Sequence, residues 1–370
     1  MEPILYGVEK EKAELILDQI IKLTVNNHVQ SLKPGLFTGK AGISFFLFHC
    51  FRIRKQLVYE ETAFKILQEV LKEIEEKSED HSYFEGLNGI CCAIEYLAQN
   101  GFIENNAKDI LLDIDKLYLN PITNLLDYSL NTGIVSYGMY FLSRITNPNN
   151  PVYYQKEILM QIINYLEFYI PEYANEVDDP ENLTITKGYL AIIPFLCWAY
   201  KANVHRFKVT EVLIKCVDFI KQQENRYNKI LRFPDQTHFG KFSLRWDSGD
   251  LAFSHLLLQV AKTVKNDNWE SNALEIALRT TSIKKIENEN ISIFNGTAGI
   301  AHLYNRLYQH YKNPELKLAA VFWLNRTLVL LENSQFVEYG LTNGIAGAGM
   351  VIMNATSDIN FTWDRLLLMS

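Results

Sequence analysis

Hydrophobic residues along this chain follow two alternating patterns. One is amphipathic. From Tyr59 to Lys77, Phe64, Leu67, Leu71 and Ile74 fall at three- and four-residue spacings among Glu and Lys, which predicts a surface helix. Ala107 to Leu119, Tyr153 to Tyr169, Val209 to Gln222, Trp269 to Thr280 and Leu316 to Leu331 repeat it. The other pattern is apolar nearly all round. Ile43-Ser44-Phe45-Phe46-Leu47-Phe48 and Ala191-Ile192-Ile193-Pro194-Phe195-Leu196-Cys197-Trp198 are examples. Such runs predict helices buried on most sides.

A short glycine-centred motif opens each apolar run. The copies are Gly39-Lys40-Ala41-Gly42, Gly86-Leu87-Asn88-Gly89, Gly133-Ile134-Val135-Ser136, Gly188-Tyr189-Leu190-Ala191, Gly249-Asp250-Leu251-Ala252, Gly296-Thr297-Ala298-Gly299 and Gly344-Ile345-Ala346-Gly347. Successive first glycines lie 47 to 61 residues apart, a period of stacked or ring-closed supersecondary units. One buried and one amphipathic helix per repeat predicts an all-α fold: an α/α toroid of about seven hairpins, an inner ring wrapped by an outer one. No linker interrupts the repeat, so residues 1–370 are expected to form a single domain.

The glycines carry two expectations. The first would supply a positive φ at the turn into the helix. The second small residue would let neighbouring inner helices approach. All inner N-termini should then share one mouth, each with about half a positive charge, and that mouth would favour anionic or electron-rich groups. Loops are expected around Pro121, around Asn147 to Pro151, over Glu172 to Asn182 and over Asn225 to Leu244.

Composition narrows the class. Gly and Pro number only 18 and 10, which argues against a turn-rich β fold. A net charge of −7 with both signs interspersed lacks the basic face that nucleic-acid binding needs. Cys50, Cys91, Cys92, Cys197 and Cys216 are too few and irregular for a disulfide framework. Cys50, Cys91, Cys92 and Cys197 read as inert thiols in apolar helices. There is no secretory signal and no membrane-spanning apolar run, so a cytoplasmic protein is expected.

The glycine series, with Arg245-Trp246-Asp247-Ser248-Gly249-Asp250 and Ile293-Phe294-Asn295-Gly296-Thr297-Ala298-Gly299, resembles the lanthionine synthetase C-like family over roughly residues 35 to 365. The resemblance implies an α/α toroid. In active members the two segments supply the zinc ligands, two Cys and one His. The zinc activates a peptide cysteine for addition to dehydroalanine or dehydrobutyrine. This sequence departs from that pattern. Asp247 and Phe294 replace the two Cys, and Asn295 replaces the His. One carboxylate and one amide do not make a zinc site, so neither a metal nor another cofactor is expected. Lys187 stands where the family has a His before the fourth motif. Ser129, with Asp127 two residues earlier, stands where it often has an acid.

Candidate catalytic residues are therefore Asp247, Lys187, Asn295 and His255. Asp247 reads as a base for a thiol, or as an acid satisfying helix N-terminal amides. Lys187 sits poorly beside positive helix ends. It would pair with Asp247, hold an enolate, or extend to solvent. Asn295 would donate to an oxyanion or cap its helix. His255 and His302 lie in the first turns of their helices, either facing the cavity as acid or base or satisfied in the core. Trp246, Arg245, Asp250, Ser129 and His302 form the substrate-contacting set. Trp246 is set against packing under its loop, and Asp250 against complementing the dipole.

Three functions remain open. The first is zinc-free thioether ring closure on a dehydrated precursor peptide held in the crater, where holding two reactive ends together is itself a large effect. The second is a non-catalytic protein that binds a leader peptide or a partner modifying enzyme such as a dehydratase. The third is a carbohydrate-active enzyme, which would need two carboxylates, Asp247 and Asp250.

Overall fold

A computed structural model describes residues 1–26, 32–76, 80–103, 111–112, 114–115, 127–147, 153–173, 184–223, 244–333 and 338–370. The glycine motifs open seven inner helices: α2 (Lys40–Arg54), α4 (Leu87–Gln99), α5 (Ile134–Ile145), α7 (Ile192–Lys201), α9 (Gly249–Val264), α11 (Thr297–Tyr311) and α13 (Ile345–Thr356). A 3-10 turn, Tyr189–Ala191, leads into α7. The outer helices are α1 (Gly7–Asn26), α3 (Leu57–Glu76), α6 (Tyr153–Tyr173), α8 (Arg206–Gln223), α10 (Asp267–Thr280) and α12 (Pro314–Asn333). Leu111, Leu112, Ile114 and Asp115 are helical; the rest of the helix expected from Ala107 to Leu119 lies outside the described residues. So do Pro121, Pro148 to Pro151, residues 174–182 and 225–243; Glu172 still belongs to α6. Among the described residues there is no strand and no helix long and apolar enough to cross a membrane.

The ring closes. Each inner helix packs on the next, from α2 through α4, α5, α7, α9 and α11 to α13, and α13 packs back on α2. The outer partner of α13 comes from the other end of the chain. It is α1, held there by Ile4 and Leu5 N–H groups donating to Ala355 O at 2.9 and 3.3 Å. On α3 the buried stripe runs through Ala63, Ile66, Leu67, Val70 and Ile74, while Phe64 is 37% exposed at its edge. The spacing places the helix correctly and centres the stripe slightly off.

Loop geometry corrects both expectations about the glycines. Gly39, Gly86, Gly133, Gly188, Gly296 and Gly344 have φ between −125° and −89°, ordinary extended backbone. Only Gly249 has a positive φ, +80°. What demands glycine is the chain's own preceding loop. The amide after the glycine donates to a carbonyl seven residues back: Leu87 to Asp80 O, Ile134 to Asp127 O and Thr297 to Asn290 O, all at 2.8 Å. These bonds satisfy helix N-terminal donors that would otherwise lack partners. A Cβ on Gly86 would meet Asp80 O at 2.4 Å. The second glycine faces the same loop rather than a neighbouring helix. A Cβ on Gly89 would meet Tyr83 O at 1.7 Å, and one on Gly299 would meet Ile293 O at 1.9 Å.

These loops then bond to one another around the rim. Leu36 and Phe37 N–H donate to Phe84 O, Tyr83 to Asn131 O, Ile185 to Asp247 O, Trp246 to Phe294 O and Ile293 to Thr342 O. Thr342 N–H donates to Phe37 O at 3.0 Å and joins the seventh repeat to the first. Between the third and fourth repeats, Tyr128 stacks on Tyr189 with centroids 4.8 Å apart. All seven helix N-termini therefore face one mouth.

The last residues fill the bore. Their backbone carbonyls are captured by side chains of the inner ring: Leu366 O by Tyr83 Oη (3.0 Å), Leu367 O by Trp246 Nε1 (2.9 Å), Leu368 O by Gln259 Nε2 (3.0 Å) and Ser370 O by Trp198 Nε1 (2.9 Å). Buried Asp364 anchors this tail, accepting from His302 Nε2 at 2.7 Å and from Arg306. The Arg306 charge and the His302 bond hold its carboxyl well below the usual range against burial.

Two predictions follow from this packing. Gly299→Ala forces a side chain onto a backbone carbonyl and costs about 3 kcal/mol or more in urea unfolding, the upper end for overpacking. Gly101→Ala, with φ +66° and nothing within 4 Å, costs about 1 kcal/mol from backbone strain alone. Equal costs would contradict the loop argument. The second concerns acid. Met369 O can only accept, so His255 donates Nε2–H to it at 2.6 Å as a neutral imidazole. Burial pushes His255 down to about 4 and His49 down to about 3. The unfolded chain binds these protons near pH 6.5 and the folded chain does not, so their stabilisation is complete above 6.5 and is lost as pH falls toward 4. The melting temperature drops across that window. His255→Gln flattens the slope, by on the order of 3 kcal/mol at most; an unchanged slope would refute the assignment.

Candidate functional site

The residue two places before each first glycine occupies the same station in every rim loop. Around the ring these are Phe37, Phe84, Asn131, Thr186, Asp247, Phe294 and Thr342. Six of these residues divide into two arcs, while Thr342 is buried and does not line the cavity between them. Phe37, Phe84 and Phe294 form an aromatic arc: Phe37 stacks on Phe84 at 4.3 Å, and Phe294 meets Phe37 and Phe84 at 5.6 and 5.9 Å. Asn131, Thr186 and Asp247 form a polar arc. Between them lies a cavity of about 600 Å³, lined also by Asp127, Ser129, Thr132, Lys187 and Arg245.

Four residues singled out from the sequence meet in this cavity: Asp247, Arg245, Lys187 and Ser129. Asp247 is 2% exposed. It accepts from Arg245 Nε at 3.0 Å, Thr186 Oγ1 at 3.2 Å and Ser248 Oγ at 3.4 Å. It does not cap α9, whose N-cap is Ser248. Lys187 is exposed at the cavity edge, its backbone N–H donating to Thr184 Oγ1 at 3.1 Å. Ser129 donates to Asp127 Oδ2 at 2.8 Å and accepts from Gly133 N at 3.2 Å. Asp127 also holds Thr132 Oγ1 at 2.8 Å, so one carboxylate ties this loop together.

The other candidates lie elsewhere. Trp246 is buried beneath the aromatic arc, 4.9 Å from Phe294. Asn295 is exposed on the rim, accepts from Asn290 Nδ2 at 3.4 Å, and does not cap α11, whose N-cap is Gly296. Asp250 is buried in the first turn of α9 and does not line the cavity. His255 and His302 face the tail in the bore, on Met369 O and Asp364. Sequence reasoning passed over Phe84, Asn131, Thr132 and Thr186 as lining residues. The repeat held the signal, since all but Thr132 sit at the shared station before the glycine.

A family model described as lanthionine synthetase C-like protein matches residues 30–368. The chain belongs to the lanthionine synthetase C-like family. Among solved structures it is similar to one described as nisin cyclase, with a TM-score of 0.73, 16% identity and 97% of each chain covered. At that identity the likeness is one of fold. No curated protein sequence matches significantly.

The three family zinc positions can be tested against this geometry. In this LanC-like chain they hold Asp247, already engaged by Arg245; Phe294, an aromatic ring within the Phe37–Phe84 cluster; and Asn295, an exposed amide. Zinc needs thiolate, imidazole or carboxylate donors converging on one point, and these residues do not fit it. Among the described residues no group of three His, Cys, Asp or Glu is placed to hold a metal, and all five cysteines are buried and free. Purified protein is expected to carry well under one zinc per chain by elemental analysis. The combined change Asp247→Cys, Phe294→Cys and Asn295→His should raise the content toward one. One zinc per unaltered chain, lost in Asp247→Ala, would contradict this reading.

Proposed function

We propose that this LanC-like protein binds a dehydrated precursor peptide at the rim and promotes thioether ring closure without zinc. One observation carries the reading: a single cavity sets a buried, ion-paired carboxylate and an exposed ammonium against two aromatic rings, Phe84 and Phe294, which Phe37 backs. The aromatic arc receives apolar peptide side chains. The rim of helix N-termini and Lys187 attract the developing negative charge.

The step balances within these groups. Asp247 takes the thiol proton of a peptide cysteine. The sulfur adds to the β-carbon of a dehydroamino acid and forms the C–S bond. The alkene pair moves toward the carbonyl as an enolate facing Lys187. A proton returns to the α-carbon from Asp247. Arg245 and Thr186 keep Asp247 oriented, and confinement of both ends supplies the rest of the acceleration. The expected partners are the precursor peptide and a dehydratase or other maturation enzyme acting before it.

A second reading, a non-catalytic binder of leader peptide or partner enzyme, is favoured by the Arg245–Asp247 pair, which spends the carboxylate's charge locally. Two-carboxylate sugar hydrolysis has less support, because Asp250 does not share the cavity and the other carboxylate there, Asp127, is bound to Ser129 and Thr132 of its own loop.

The distinguishing experiment incubates the protein with a dehydrated precursor and follows free thiols by alkylation and mass spectrometry. Ring closure should exceed the uncatalysed rate, and Asp247→Asn and Lys187→Ala should each lower it by about 10²-fold, as loss of a general acid–base group does. Peptide binding with an unchanged closure rate would replace the first reading with the second.

A further inference from the structure

The opposite mouth of the ring holds a second cavity, of about 1000 Å³. The C-terminal ends of α7, α9 and α11 surround it, and Met369 and Ser370 of the tail line it. Its Lys and Arg residues are Lys201, Arg206, Lys262, Lys265, Arg306 and Lys312, against a single acid, Glu2. The chain as a whole carries −7, so this lining runs against the composition.

Two of these cations are neutralised. Arg306 bonds Asp364, and Lys312 lies 3.4 Å from Glu2. Arg206 gives Nε to Tyr200 O at 3.0 Å and lies over that ring, with no acid beside it. Among the described residues, Lys201, Lys262 and Lys265 have no acidic side chain within ion-pair distance. Burial pushes Lys201 below the ordinary lysine range, and the like charges of Lys262 and Arg365 push it further. Helix ends do not account for the excess. Three C-termini contribute about −0.5 each, roughly −1.5 against four unpaired cations. A carboxylate at Ser370 would take off one more and still leave the cavity positive.

We infer that this cavity binds a small polyanion bearing phosphate groups. Its volume is that of a ligand site rather than a macromolecular interface. Its unpaired charge is mostly lysine, whose mobile ammonium serves phosphate as a point charge, whereas planar carboxylate is better met by the arginine fork. The tail separates it from the rim cavity, so its occupant is distinct from the proposed peptide substrate.

Tripolyphosphate is the direct probe, tested by calorimetry and thermal unfolding of the full chain at low salt. It should bind with a Kd below about 1 mM and raise the melting temperature. The double variant Lys201→Gln/Lys262→Gln should lose at least tenfold in affinity. Without ligand the same variant should melt higher than the parent, because a like-charge contact is gone. A lower melting temperature would mean that these lysines only complement helix ends, and would overturn the proposal. So would the absence of any shift with tripolyphosphate, or equal binding of citrate or a polyglutamate peptide.

Discussion

Backbone hydrogen bonds between rim loops, with the Tyr128–Tyr189 stack between the third and fourth repeats, hold this molecule in its functional shape. Before five of the inner helices the loop folds so tightly on the helix start that a side chain at the first glycine, Gly39, Gly86, Gly133, Gly296 or Gly344, would strike backbone. The loop's remaining edge bonds to the loop of the neighbouring repeat at six junctions, and Tyr128 stacks on Tyr189 at the seventh. The bond from Thr342 to Phe37 turns a row of hairpins into a closed ring. Helix packing alone would tolerate an open superhelix, as solenoids do; the loop cycle and the α1–α13 pairing remove the free ends.

The same cycle explains why a site exists at the rim. Because every loop is in the same register, the residue two before each glycine reaches the same height. Chemistry at that height is chosen repeat by repeat without disturbing the backbone. In this chain the choice is aromatic on one side and polar on the other. The bore beneath is sealed by the tail, whose carbonyls bind Tyr83 and Trp246 directly under Phe84 and Asp247. The crater therefore has a rigid floor, and the two mouths are chemically separate. One gathers helix N-termini around a paired carboxylate; the other gathers helix C-termini around surplus lysines.

Much of this was legible in the residues. The glycine period and the alternation of apolar and amphipathic helices specify the toroid and its hairpin count. Asp247, Arg245, Lys187 and Ser129 were legible as residues of three rim loops, but that they line one cavity was not, because they do not all stand at the same distance before their glycines and convergence across the ring is not encoded in spacing. Other features were not legible, for physical reasons. The role of the glycines depends on a carbonyl several residues earlier, a contact that periodicity does not encode. His255 and His302 occupy helix turns that look cavity-facing until the tail is seen to fill the bore, and nothing in residues 361–370 marks them as a plug. Trp246 sits beside Asp247 in sequence, yet adjacent residues in an extended loop point opposite ways, which takes Trp246 under the rim.

Amide hydrogen exchange under native conditions tests the loop cycle most directly. The N–H groups of Phe37, Tyr83, Ile185, Trp246, Ile293 and Thr342 should exchange together and slowly, with protection close to that of the inner helices, because each ties two neighbouring repeats together. Fast, independent exchange at Thr342 and Phe37, as in an ordinary surface loop, would show that the ring is not closed there and would contradict the account.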